Sequence, residues 1–276
     1  MKKFERFTLQ HPISFGFIII VLFSLLSTVT WPITQISTYP QGYEVGTAIA
    51  KLVIAASFLL ILWGFGWLRT AGFSSSGPKG IWILVILLVV YNAVLNVYAF
   101  TGSFRMSIPP AGLTLPIIFY GFTTSLVEET MYRGLLLTAM VKAWGSARRG
   151  LFAAAVFSGL FFASTHFFNL LIRPFPVVAL QVIGMTMVGF VYAAIALKGG
   201  SIWPLVIFHW MINASIGLQV IQLPNFEETT IVWVIFVLVM LPVVGVGIYL
   251  MRNLKVSPGS NKADIYYEET QKAVNV

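Results

Sequence analysis

Eight stretches of this chain are long enough to cross a bilayer and almost free of charge, and they leave little choice about the medium in which it folds. They run near Ile13–Gln35, Gly46–Leu68, Ile81–Phe100, Leu113–Val141, Leu151–Ile172, Val177–Leu197, Ile202–Ile221 and Thr230–Met251. A helix needs roughly 17 to 25 mostly apolar residues to span, at ~1.5 Å each. Only 9% of the 276 residues are charged and 58% are hydrophobic, far from the roughly 25% charged of a soluble domain. The expected fold is all-α: a polytopic integral membrane protein of about eight transmembrane helices.

Breaker residues separate the stretches, as in Ser76-Gly77-Pro78, Pro109-Pro110, Pro174 with Pro176, Gly199-Gly200 and Pro224-Asn225. The first stretch is too long for a signal-peptide core and is followed by no small-residue cleavage site, so it reads as a retained helix. No cysteine is present, which excludes disulfides, thiolate metal sites and a cysteine nucleophile.

The net charge of +8 would suggest nucleic acid in a soluble protein, but its distribution follows the loops. With a cytoplasmic N-terminus, the inside segments hold Lys2, Lys3, Arg6, Arg69, Lys79, Lys142, Arg148, Arg149, Lys198, Arg252, Lys255, Lys262 and Lys272, and the outside loops hold Arg105 and Arg173. Thirteen against two satisfies the positive-inside rule, placing both termini in the cytoplasm. Nucleic acid is therefore not an expected partner. Lys51 lies near the outer end of the second stretch, where its stem could snorkel to the interface.

Ionisable groups at membrane depth are costly and mark function by default. Here they reduce to Glu128, Glu129, Arg133, His166 and His209; Glu44, Glu227 and Glu228 fall in outside loops, and Glu5, Asp264, Glu268 and Glu269 near the cytoplasmic ends. Helical rise puts Glu128 ~20 Å and His166 ~22 Å from their cytoplasmic ends, with His209 and Asn213 at ~10 and ~17 Å. All four can meet near mid-bilayer. Glu129 and Arg133, four apart, can pair on one face. Glu128 is rotated about 100° away and is left as the free carboxylate, with a nearby cation such as Arg133 favouring the ionised form that a general base needs. His209 and Asn213, also four apart, can aim two donors at one point, an arrangement that suits an oxyanion hole. Phe162 stands four before His166 and can limit the freedom of its ring. The aromatic residues otherwise read as lipid-facing or interfacial.

In order and spacing, Glu128-Glu129-x-x-x-Arg133, Phe162-x-x-x-His166 and His209-x-x-x-Asn213 resemble the three motifs of the CPBP family of intramembrane proteases. That family includes the type II CAAX prenyl endopeptidases and the Abi or bacteriocin-immunity proteins, and the similarity covers roughly Leu113 to Gly217. The resemblance implies a glutamate-type intramembrane endopeptidase. Glu128 and His166 would hold and activate a water, His209 and Asn213 would stabilise the oxyanion, and Glu129, Arg133 and Phe162 would support the site. Zinc held by Glu128, His166 and His209 is a possible cofactor; a metal-free site is favoured, because Asn is an unusual ligand and a water held by Glu and His suffices.

The domain organisation follows: 1–112 as three N-terminal transmembrane helices, 113–254 as the catalytic helical core and 255–276 as a polar cytoplasmic tail. The expected partners are the lipid bilayer and a peptide or protein substrate, a prenylated CAAX protein among the candidates. The compact chain, without organelle signals, points to a prokaryotic plasma membrane. Two membrane aspartates, a His-Glu-x-x-His motif and a Gly-x-Ser-Gly motif are all missing, since Ser158-Gly159 lacks the preceding glycine. The competing reading is a non-catalytic immunity or scaffold protein, or a proton-coupled transporter that uses the same polar groups, although no paired repeats are visible.

Overall fold

The computed structural model describes residues 2–34, 42–100, 111–222 and 229–254, and among them every regular element is helical. The order is α1 (Lys2–Gln10), α2 (Pro12–Thr34), α3 (Gly42–Phe65), α4 (Lys79–Phe100), α5 (Ala111–Glu129), a π-helical segment (Thr130–Leu137), α6 (Thr138–Trp144), α7 (Arg148–Ser164), a 3₁₀ segment (Thr165–Leu171), α8 (Phe175–Gly199), α9 (Trp203–Gln222) and α10 (Thr230–Arg252). Each of the eight apolar stretches is helical, and the largest shift in a boundary is Gly42 for Gly46. Among the described residues five helices are long and apolar enough to cross a membrane, namely α2, α3, α7 with its 3₁₀ extension, α8 and α10. The loop holding Arg105, the loop holding Glu227 and Glu228, and the tail 255–276 lie outside the described residues.

The exterior is apolar. Only 22% of the spanning window of α2 and 17% of that of α10 is buried, and Val29, Trp63, Leu60, Ile231 and Leu238 point outward. Such a surface is stable only against lipid, so the chain is an integral, multi-pass membrane protein.

Inside, α5 packs on α3 and α9, α7 on α8, and α8 on α10, with α2 against α3 and α4 against α9. The π segment is the hub. All eight of its residues are buried, and it touches α2, α3, α7 and α8. Close approach of α7 to α8 depends on glycine. A Cβ on Gly189 would fall 2.6 Å from the Gly159 Cα, and one on Gly159 would fall 2.8 Å from the Phe190 amide nitrogen. Small residues of this kind bring backbones together where no hydrophobic gain over lipid is on offer.

One element is added to the sequence reading and one expectation changes. The basic leader before the first span is itself a helix, α1, latched to the end of α3 by a 2.9 Å hydrogen bond from Trp67 Nε1 to Glu5 Oε1. Lys51 does not reach for the interface. Its Nζ donates to Thr124 Oγ1 at 2.6 Å and sits 3.9 Å from the centroid of the Tyr120 ring. A partner on the facing helix satisfies the ammonium without any need for its stem to bend toward water.

Candidate active site

Both departures from α-helical geometry occur where the polar residues gather. At the end of α5 the helix widens into the π segment directly after Glu129, and at the end of α7 it tightens into the 3₁₀ segment directly before His166. Irregular backbone at membrane depth persists only where protein satisfies it. Ser158 Oγ donates to the Tyr132 carbonyl at 3.2 Å and Thr138 Oγ1 to the Arg133 carbonyl at 3.3 Å. The 3₁₀ segment is pinned by Asn169 Nδ2 donating to Gln181 Oε1 at 2.8 Å. Single π turns of this kind are frequent at functional sites.

Glu129 is the buried centre, with no solvent exposure. Its Oε1 accepts from Arg133 Nη1 at 3.1 Å and pairs with His209 Nδ1 at 2.8 Å. Arg133 also donates through Nη2 to the Gly189 carbonyl at 3.2 Å. Its guanidinium lies 4.8 Å from the ring centroid of Phe162 and 5.0 Å from that of Tyr192. A guanidinium between aromatic faces is held by their quadrupoles as well as by its carboxylate. One arginine therefore ties the π segment to α5, α7 and α8.

Glu128 faces elsewhere, as its rotation on the helix requires. Its side chain is 29% exposed, and its Oε2 stands 3.5 Å from His209 Nε2. The two ring nitrogens of His209 thus address two different carboxylates. Arg133 is bonded to Glu129, the partner that its i,i+4 spacing offers on the same face. His166 lies within electrostatic reach of Glu128 and His209, its ring 5.7 Å from that of Phe162. Phe162 also meets the ring of His209, at 6.0 Å. Asn213 donates through Nδ2 to Ser125 Oγ at 3.0 Å.

Several contributors escape sequence reasoning. Ser125 was legible in principle, since Ser125, Glu129 and Arg133 form an i, i+4, i+8 stripe. Tyr192 packs on His209 with ring centroids 5.4 Å apart, and Tyr132 donates to Thr165 Oγ1 at 3.3 Å. Both are buried and neither faces lipid, but nothing in an apolar run distinguishes such a tyrosine from a lipid-facing one. Ser158, weighed above as a nucleophile, is fully buried and spends its hydroxyl on the Tyr132 carbonyl.

A zinc site would need Glu128, His166 and His209 to converge with free lone pairs. Among the described residues no three His, Cys, Asp or Glu side chains form a group able to hold a metal ion. Both nitrogens of His209 are turned to carboxylates.

Residues 110–215 match the family model described as type II CAAX prenyl endopeptidase Rce1-like. The matched segment contains every residue of the three sequence motifs, from Glu128 to Asn213. No curated protein and no solved structure matches the chain.

Proposed function

From a chain whose residues 110–215 match the type II CAAX prenyl endopeptidase Rce1-like family model, we infer a glutamate-type endopeptidase that hydrolyses a peptide bond of a membrane-associated or lipidated substrate. The observation that carries this reading is the inequality of two adjacent carboxylates. Glu129 is sealed and doubly bonded, whereas Glu128 keeps 29% exposure and no partner within normal hydrogen-bond distance among the described residues. The first is a structural anion and the second a base that water and substrate can reach.

Glu128 takes a proton from a water as its oxygen attacks the scissile carbonyl, and returns that proton to the leaving amine as the C–N bond breaks. His166, partly exposed and within electrostatic reach of Glu128, orients the water. The tetrahedral oxyanion accepts from His209 Nε2 and from Asn213 Nδ2. Only one of the two Asn213 N–H groups is needed for Ser125, so the other is available. A His209 ring that donates at Nδ1 to Glu129 also donates at Nε2 only as imidazolium. No step requires a metal.

The same proposal covers eight spans with both termini in the cytoplasm, three helices ahead of a core over 113–254, and residence in a prokaryotic plasma membrane. Arg148, Lys198 and Arg252, from three different helices, lie at one end of the bundle, tied together by Arg148 to the Leu254 carbonyl and Lys198 to the Asn253 carbonyl. This supports that end as the cytoplasmic one. Single cysteines introduced into the cysteine-free chain and labelled from either side would test the topology.

The activity is tested with purified, detergent-solubilised protein on a panel of membrane-associated and prenylated peptides, comparing wild type with Glu128→Gln and His166→Ala at equal folded amounts. Cleavage by wild type alone is the expected result. Equal cleavage by all three would refute the assignment of the base, and a cellular phenotype that survives Glu128→Gln would favour a non-catalytic scaffold.

A further inference from the structure

At the end of the bundle where α7 begins and α10 finishes, Arg148, Arg149 and Arg252 line an open cleft of about 710 Å³ together with Phe152. The three arginines are exposed, and none forms an ion pair with a carboxylate among the described residues. Among the described residues Arg148 has only the Leu254 carbonyl, at 3.3 Å. The positive-inside rule explains why this end is basic, but not why three guanidiniums from two helices border a single cleft with no carboxylate among the described residues paired to them. Like charges gathered in this way repel, and an anion in the cleft would relieve the repulsion. The backbone at the start of α7 adds donors, since no side chain caps it.

We propose that this cleft is a binding site for the phosphate of an anionic phospholipid headgroup, seated between α7 and α10 at the membrane surface. Guanidinium groups present paired donors matched to phosphate oxygens. The second lining element is apolar: Phe152 stands one turn into α7 from Arg148 and packs against Phe190 at 5.5 Å between ring centroids. A wall that changes from guanidinium to aromatic along the membrane normal fits a headgroup followed by glycerol and acyl chain, whereas free phosphate would use only the first part. The chain's own tail is a poorer occupant, because Lys255, Lys262 and Lys272 cancel Asp264, Glu268 and Glu269. Basic pockets between helices on the cytoplasmic side are sites of this kind of lipid recognition. The proposal is independent of the peptidase reading.

The test is native mass spectrometry of the full chain in detergent, titrated with phosphatidylglycerol, phosphatidylcholine or inorganic phosphate. Wild type should bind one phosphatidylglycerol in preference to phosphatidylcholine. R149Q/R252Q should weaken that binding roughly 10- to 30-fold, while K2Q/K3Q, which removes the same charge from α1, should change it less than twofold. R149K/R252K, which keeps the charge and loses the paired donors, should fall in between. Equal weakening by R149Q/R252Q and K2Q/K3Q would reduce the effect to diffuse surface charge and overturn the site. Displacement of the lipid by millimolar inorganic phosphate would reassign the cleft to a soluble anion. Markedly tighter lipid binding by D264N/E268Q/E269Q would show that the tail fills it, which also overturns the proposal.

Discussion

Replacing Arg133 with leucine should cost more stability than any other single change in the bundle, and the structure says how the cost divides. The guanidinium and the Glu129 carboxylate are 1% and 0% exposed, so solvent screens neither of them. Removing the cation leaves a buried carboxylate whose only remaining partner among the described residues is His209 at 2.8 Å, and it takes the added side-chain donor from the Gly189 carbonyl. Breaking one side of such a pair costs about 3–5 kcal/mol. Removing both charges, in R133L/E129Q, should cost much less than the sum of the two single changes. The thermodynamic cycle should therefore show a coupling of about 2 kcal/mol or more, within the range for contacting residues. The assay is thermal unfolding of the four proteins in one detergent, at matched scan rate, with abundance in the membrane as a second readout. Additive single effects, or an R133L protein as stable and abundant as wild type but inactive, would refute the ion-pair reasoning and move Arg133 into the chemistry.

Glu128→Gln should leave the unfolding midpoint within about 1 °C, since its carboxylate is partly exposed and 3.5 Å from its nearest partner, yet lower kcat by roughly 10²–10⁴. Asn213→Ala should lower kcat by roughly 10²–10³ as an oxyanion donor; Ser125→Ala, which only frees its amide, should cost less than tenfold and leave KM unchanged. Gly189→Ala places a methyl 2.6 Å from the Gly159 backbone and should destabilise by about 1–3 kcal/mol. It should also lower activity, because the carbonyl that holds Arg133 moves with the helix. Exhaustive chelation should leave cleavage unchanged; loss of activity that is restored by added zinc would overturn the metal-free mechanism.

The positions of the helices were open to the sequence because the cost of a charge in hydrocarbon is paid residue by residue. Uncharged runs of spanning length can be counted without knowing what packs on what, and Gly77 and Gly200 take positive φ where breakers punctuate those runs. The site was legible for the same reason: ionisable groups at depth are few, and i, i+4 spacing on one helix sorts Glu129 with Arg133 and leaves Glu128 apart. Resemblance of the three motifs then pointed to the family, and the match over residues 110–215 supports it.

Tertiary structure alone decided which partner each group chose. The widened turn after Glu129 and the tightened turn before His166 have no local sequence signature, since they depend on Ser158, Thr138 and Gln181 being in reach to satisfy displaced or exposed polar groups. The division of His209 between two carboxylates, the seat of Arg133 against Tyr192 and the Gly189 carbonyl, and the turn of Lys51 inward to Thr124 are likewise relations between helices. Hydropathy is a property of a segment, whereas a hydrogen bond across a bundle belongs to two segments at once. For that reason the sequence could name Glu128 as the free carboxylate, but only the packing of α5, α7, α8 and α9 determined what surrounds it.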